Sequence, residues 1–473
     1  MKIQRLFISS IFLSLPGIIF YNVAKLLEKN VKTDDRKIQK RDDLRQILFV
    51  ETGNESHVLE PNRDTETSIA PTREGVSEIK NVKRINYLLK PVIYQQFNCT
   101  RLFLGDPEEQ KKVKTFHSKF PYKHVPEASF VKAASRCQAY IQARGYVRHV
   151  PEEEAEFPLA YSITIHKHAD QFERLLRAIY RPNNYYCIHV DQKSSKNLHA
   201  AIKAIADCFD NVFVASKLEV VVYGGFTRLQ ADLNCMEDLY HRYTDWKYLL
   251  NLAGTELPLK SNKELVYLLK LYKGRNIIGK NHNVLPSRWK KRYFTRVVNM
   301  TGSIKVVNKT NMKPPFNLTM IKGSAYAIFS RDMIGYTLRD PLPIKFLKWC
   351  SHTYSPDEHY WATLNDLDGN PQLKTPGGNY SPANIFITRA VLWNSRACAG
   401  KNVHKVCLYG VKNLPWLKER PEFVANKFDL ETDFTAFDCM EELVAQRSRN
   451  SEPWDLQIHK QYIQTHLLGR PKS

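Results

Sequence analysis

YCIHVDQK, residues 186–193, is the stretch from which the fold of this chain is read. Tyr185 to Val190 is a short apolar run that ends on an aspartate. This is the pattern of a buried strand that delivers Asp191 beyond its carboxyl end. Upstream, Leu159 to Ile165 predicts another strand, and Phe172, Leu175, Leu176 and Ile179 recur at helical spacing between the two. Downstream, Asn211 to Ala215 predicts a third strand and Lys247 to Leu252 a fourth, with a helical face of Phe226, Leu229, Leu233 and Met236 between them. Strands alternating with helices predict a parallel-rich α/β sheet. In such sheets ligands bind beyond the carboxyl ends of the strands, where His166 and Asp191 both stand. The second half of the chain is less regular.

The chain of 473 residues has a net charge of +22, which suits an anionic partner: nucleic acid, acidic lipid, a sulfated glycan or a nucleotide diphosphate. Leu6 to Ala24 is uncharged and mostly apolar, close to the ~20 residues a membrane-spanning helix needs. The small-residue cleavage pattern near Val23-Ala24 is poor, which favours an uncleaved anchor. Lys25, Lys29, Lys32, Arg36 and Lys37 follow the span, so flanking charge does not favour a lumenal C-terminus. Six acceptor sequons do favour one, at Asn54, Asn98, Asn299, Asn308, Asn317 and Asn379, as do nine cysteines between Cys99 and Cys439. A lumenal address argues against nucleic acid as the partner. The expected organisation is a cytoplasmic tail at 1–5, a transmembrane signal-anchor at 6–24, a polar stem at 25–95, a catalytic domain at 96–445 and a basic tail at 446–473.

Several segments carry candidate chemistry. Ser355-Pro356-Asp357-Glu358 matches a helix-start box, with serine at the cap, proline at the first helical position and glutamate three after the cap. A carboxylate held there beside Tyr360 and Trp361 also has what a general base needs. Asp191 is either a turn aspartate or a ligand for a nucleotide base or ribose. Lys427 is either a solvated lysine or a phosphate-neutralising one. Asp366-Leu367-Asp368 matches a metal-nucleotide tripeptide, but lies in an Asn-, Asp- and Gly-rich loop and is read as a loop feature. Zinc-like Cys/His spacing, a phosphate-binding glycine-lysine loop and a dinucleotide glycine fingerprint are all absent from the sequence.

Seven stretches in one order carry a family resemblance: YCIHVDQK from Tyr186, GGFTRLQADLNC from Gly224, PLKSN from Pro258, SRWKKRY from Ser287, GSAYAI from Gly323, YSPDEHYWATL from Tyr354 and ANKFD from Ala425. Together they resemble the core 2/I-branching β-1,6-N-acetylglucosaminyltransferases. The resemblance implies a GT-A-like α/β glycosyltransferase domain behind the anchor and stem. It also implies inverting, metal-independent transfer of N-acetylglucosamine from UDP-GlcNAc, without a cofactor, to a galactose or N-acetylgalactosamine hydroxyl of a glycoprotein O-glycan. The expected location is the Golgi membrane, as a single-pass type II protein with the domain in the lumen. A homodimer is left open.

By position, Glu358 is the catalytic base. Thr164, Ile165, His166, Asp191, Gln192, Lys193 and Tyr223 match donor-binding segments, Lys427 the pyrophosphate lysine, and Arg288 and Trp393 acceptor-binding residues. The implied disulfides are Cys99–Cys439, Cys137–Cys208, Cys187–Cys235 and Cys398–Cys407, leaving Cys350 free. The chain departs from the family where a second pyrophosphate residue, an arginine, is replaced by His404 with Lys405 beside it. The acceptor glutamate has no counterpart in Asn276 to Lys280, the acceptor lysine aligns with Leu285, and a tyrosine two past Trp393 is Ser395. These departures bear on the acceptor. They keep two alternatives in view: transfer of another sugar such as xylose, or a Golgi glycan-binding protein without catalysis.

Overall fold

The computed structural model describes residues 97–281, 293–300, 302–367, 375–378, 387–394, 396–449 and 460. The expected anchor and stem lie outside the described residues, as do Asn54, Leu285, Arg288, Asp368, Asn379, Ser395 and all of the tail after Arg449 except Lys460. Among the described residues no helix is long and apolar enough to cross a membrane.

The core is a six-stranded sheet in the order β3-β2-β1-β4-β9-β6. β1 (Leu159–Ile165) leads through helix α1 (Ala169–Ile179) to β2 (Tyr185–Val190). β3 (Val212–Val214), helix α2 (Phe226–Arg242) and β4 (Tyr248–Ala253) follow. These four strands are parallel, as alternation predicts. Their register sets Ile165 opposite Val190 and Thr164 opposite Ala253, so three carboxyl ends finish level.

The sheet is parallel-rich, as expected, and two antiparallel strands complete it. β9 (Lys322–Ser330) runs antiparallel to β4, and β6 (Ile277–Asn281) antiparallel to β9. Residues before β9 form a hairpin of β7 (Thr295–Met300) and β8 (Ser303–Thr310), and helix α3 (Tyr360–Asn365) packs on β9. β9 carries Gly323-Ser324-Ala325 instead of a branched apolar run. The reason is close packing: a Cβ on Gly323 would lie 2.5 Å from the Ala362 Cβ and 2.6 Å from the Gly279 carbonyl oxygen.

The central strands are buried on both faces, which is why they read as apolar runs instead of alternating ones. Tyr161, Ile163, Ile188, Val190, Leu250 and Leu252 face one core, shared with Phe172 and Leu176 of α1. The final helix α4 (Leu430–Arg449) joins that core through Phe437 and Met440. Ala160, Cys187 and Leu249 face the other core, with Leu233 and Met236 of α2 and Trp361 of α3. Full burial of such a side chain contributes about 1.5–3 kcal/mol.

α4 runs past Ala445 to Arg449, so the domain does not end where the basic composition suggested. Arg447 is buried and donates to the carbonyls of Leu259 and Lys418. It is a packed arginine, not the start of a solvated tail. α4 is also clamped to α1 by ion pairs of Arg174 and Arg177 with Glu441. Four disulfides cross-link the domain: Cys99–Cys439, Cys137–Cys208, Cys187–Cys235 and Cys398–Cys407. They are the pairs the resemblance implied, and Cys350 is free and buried.

Candidate functional site

The level strand ends form one wall of the site. The Asp191 amide donates to the Ile165 carbonyl at 2.8 Å, holding the segment after β2 against that after β1. Its buried carboxylate accepts from the amides of Lys193 (3.2 Å) and Val221 (3.3 Å), and the Lys193 ammonium stands 3.4 Å from it. Asp191 therefore does organise a turn, and that turn sets Lys193 at the mouth of the strands. The Gln192 amide donates to Glu219 (3.0 Å), Thr164 Oγ1 to Leu252 (3.2 Å) and Ser194 Oγ to His166 (3.0 Å). Ile165 is buried and His166 exposed.

A second, three-stranded sheet, β10 (Arg389–Ala390), β13 (Val424–Asn426) and β5 (Glu256–Pro258), delivers Lys427. Its anchor is Glu256, fully buried. Glu256 accepts from Arg389 Nε (2.8 Å), Asn426 Nδ2 (2.6 Å) and the Ala253 amide at the end of β4 (3.0 Å). Lys427, directly after β13, is half-buried. Its ammonium is held below the ordinary lysine range, first by desolvation and then by Lys167, with Asp429 opposing.

The hairpin of β11 (Lys401–Val403) and β12 (Val406–Leu408) turns through His404 and Lys405 at φ 51° and 72°. Cys398–Cys407 fastens it, and exposed Trp393 bridges to Val406 beside it. The His404 ring meets the exposed Tyr223 ring at 5.4 Å between centroids. Tyr223 adjoins Gly224, whose φ of +69° favours glycine and where a Cβ would lie 3.0 Å from the Tyr354 ring.

Gly224 is also where the Glu358 segment attaches. The helix-start box is not formed: Ser355 adopts φ 47° and makes no side-chain cap. Its amide donates instead to the Gly224 carbonyl at 2.8 Å. Pro356–Glu358 is a single 3-10 turn closed by Glu358 N–H to Ser355 O at 3.0 Å, and α3 starts only at Tyr360. Tyr360 and Trp361 are fully buried in the core, whereas the Glu358 side chain is 33% exposed and pairs with Lys322 at 3.1 Å. The desolvated carboxylate is its neighbour Asp357, which burial pushes up to about 6.

Thr164, Ile165, His166, Asp191, Gln192 and Lys193 thus share the strand ends, Tyr223 meets His404 and is joined through Gly224 to the Glu358 turn, Lys427 follows β13, and Trp393 bridges to the His404 hairpin from beside it. Sequence reasoning missed Lys322 and Asp357; the second was legible only as half of a common dipeptide. Asp366 accepts a hydrogen bond from Lys280 of β6. Asn98 Oδ1 caps helix Cys99–Phe103, Asn317 lies in an exposed 3-10 turn, and Asn299 and Asn308 fall in β7 and β8. Cationic groups along one wall and a half-exposed carboxylate on another suit an anionic ligand and a hydroxyl that must lose its proton.

Comparison with known proteins gives a consistent picture. Residues 159–418 match the family described as Core-2/I-Branching enzyme. The human beta-1,3-galactosyl-O-glycosyl-glycoprotein beta-1,6-N-acetylglucosaminyltransferase is 40% identical over 365 residues, covering 73% of this chain and 84% of that protein. The human protein of the same name numbered 3 is 38% identical over 78% of this chain and 87% of its own length. The Danio rerio protein numbered 4 is 39% identical over 76% and 86%.

Proposed function

This chain belongs to the core-2/I-branching enzyme family, and from that premise we propose that it transfers N-acetylglucosamine from UDP-GlcNAc to a galactose or N-acetylgalactosamine hydroxyl, forming β-1,6 branches on glycoprotein O-glycans. The observation that carries this reading is Glu358: a half-exposed carboxylate in a turn tied through Gly224 and Tyr223 to His404. Glu358 takes the proton of the acceptor hydroxyl as that oxygen attacks the sugar carbon. Thr164 to His166, Asp191 to Lys193 and Tyr223 hold the nucleotide sugar. Lys427 and Lys193, with His404 at the hairpin turn, stabilise charge on the departing diphosphate. Arg288 and Trp393 receive the acceptor. The donor is α-linked and the product β-linked, so attack comes from the face opposite the diphosphate.

The same reading places the enzyme in the Golgi membrane with its domain in the lumen. An apolar span ahead of a stem, six sequons and four disulfides support an oxidising compartment. Cationic side chains take the role of a divalent ion, so UDP binding is expected to be the same in EDTA and in manganese by calorimetry. Lys427→Ala is expected to weaken it about tenfold or more, the scale of one charge-assisted contact. Binding lost in EDTA and restored by manganese would overturn the metal-free account.

A further inference from the structure

The polar groups buried on the α2 side of the sheet have no part in the mechanism above. Asp232 of α2 is fully buried. It accepts from Arg228 Nη1 (2.7 Å) one turn earlier, from Asn251 Nδ2 of β4 (3.0 Å) and from Ser162 Oγ of β1 (3.5 Å). Asn251 in turn donates to the Ala325 carbonyl (2.8 Å) and accepts from the Ala327 amide (2.8 Å), which fixes β9, the strand that carries Lys322. The Arg228 guanidinium lies over the Tyr326 ring at 5.6 Å, and its Nη2 is buried without a hydrogen-bond partner among the described residues.

α2 also packs against the Pro356–Glu358 turn. Asp357 of that turn is buried, and after desolvation the Arg228 charge is the strongest influence on it. Arg228 is therefore paired with a carboxylate of the sheet core, on a helix packed against the turn that carries Glu358, and its charge favours the anionic form of Asp357 in that turn. The turn has no side-chain cap at Ser355; it is held by the amide bond to Gly224, the pair with Lys322 and packing against α2, β9 and α3.

We propose that Arg228 is a positioning residue, which sets the Glu358 carboxylate by coupling Asp357 in the turn to Asp232 in the sheet core. This rests on Glu358 being the base. Without the guanidinium, Asp357 would be a buried anion facing Asp232 and Glu358, with Lys322 as the remaining cation. It would have to take up a proton or leave the interior, and Glu358, the next residue, would move with it.

The charged groups around Asp357 are Arg228 and Asp232 of α2, Lys322 of β9 and Glu358 of its own turn. Its pKa of about 6 lies above the ordinary 3.8, so the folded state binds this proton more tightly than the unfolded chain. Its contribution to stability therefore falls as pH rises from about 4 through about 6. Loss of Arg228 raises the pKa further, so the penalty grows toward higher pH.

The test is a kinetic cycle on the full-length enzyme with Arg228→Met, Asp357→Asn, the double variant and Glu358→Gln. Arg228→Met is expected to lower kcat by about 10–100-fold, the effect of a slightly misplaced group, with KM for UDP-GlcNAc nearly unchanged and a larger deficit at pH 8 than at pH 6. Adding Asp357→Asn removes the stranded charge of the turn and should recover much of the lost kcat, while the unpaired Asp232 lowers Tm in both variants. A native kcat in Arg228→Met, or a double variant as slow as Arg228→Met itself, would overturn the proposal. Should Arg228→Met not fold, Arg228→Lys keeps a charge that can pair with Asp232 but carries it on a compact ammonium instead of a guanidinium spread toward the turn; there a native kcat overturns the proposal and a lowered kcat with native Tm supports it. Glu358→Gln separates the two levels: an inactive Glu358→Gln beside a fully active Arg228→Met rejects the positioning role alone, whereas an active Glu358→Gln rejects the base assignment beneath it.

Discussion

Glu358→Gln is expected to cut sugar transfer by roughly 10²–10⁴-fold, the usual contribution of a general base, while UDP affinity and thermal stability stay native. A neutral sugar hydroxyl is a weak nucleophile, and an amide of the same shape cannot take its proton. No covalent sugar intermediate and no second catalytic carboxylate is needed for a single inverting displacement. The structure makes the substitution a clean one. The helix-start box would have given Glu358 a capping role whose loss lowers stability, but that box is not formed. What the glutamine removes is the ion pair with Lys322 at 3.1 Å, between side chains 19% and 33% exposed. Pairs with such access to water are worth at most about 1 kcal/mol. A variant that loses Tm and UDP binding together with activity would instead point to a structural role.

Removing the bridge between the two ends of the domain is expected to have the largest effect on folding. Cys99 and Cys439 are 340 residues apart, and Cys99 belongs to the first described helix while Cys439 lies on α4. Closing so long a loop restricts the unfolded chain by roughly 4–5 kcal/mol. The other three bridges lie within that loop and shorten it, but the dependence is logarithmic and the change small. Cys99→Ser with Cys439→Ser should therefore lower the unfolding free energy in urea by about that amount. A loss under about 1 kcal/mol would mean that Arg174, Arg177 and Glu441, with the apolar face of α4, hold the last helix without the covalent link.

The parallel half of the sheet was legible because its strands are buried on both faces. β1 and β2 match the apolar runs residue for residue, and β3 and β4 shift only at their ends. β9 was not legible: contact with Ala362 and Gly279 demands small residues there, and small residues carry no strand signature. The site divides the same way. Asp191 and His166 follow from the rule that ligands gather at strand ends, but the setting of Glu358 does not follow from its own segment. Ser355-Pro356-Asp357-Glu358 is a sound helix start in isolation. Gly224 draws the Ser355 amide away, the helix that carries Arg228 packs against the turn, and the turn tightens and stops at His359. Both partners lie more than a hundred residues upstream, where local pattern cannot reach. The tail boundary failed for a related reason, since Arg447 is basic in composition but packed in fact.

The bond that the enzyme makes is read from the structure of its product. The full-length protein is incubated with UDP-GlcNAc and a glycopeptide carrying galactosyl-N-acetylgalactosamine, and the product is examined by NMR. The expected product carries one added N-acetylglucosamine, β-configured and attached at oxygen 6 of the acceptor sugar, formed equally in EDTA. An α-linked product, attachment at another oxygen, or an enzyme active only with a different nucleotide sugar would contradict the proposed function.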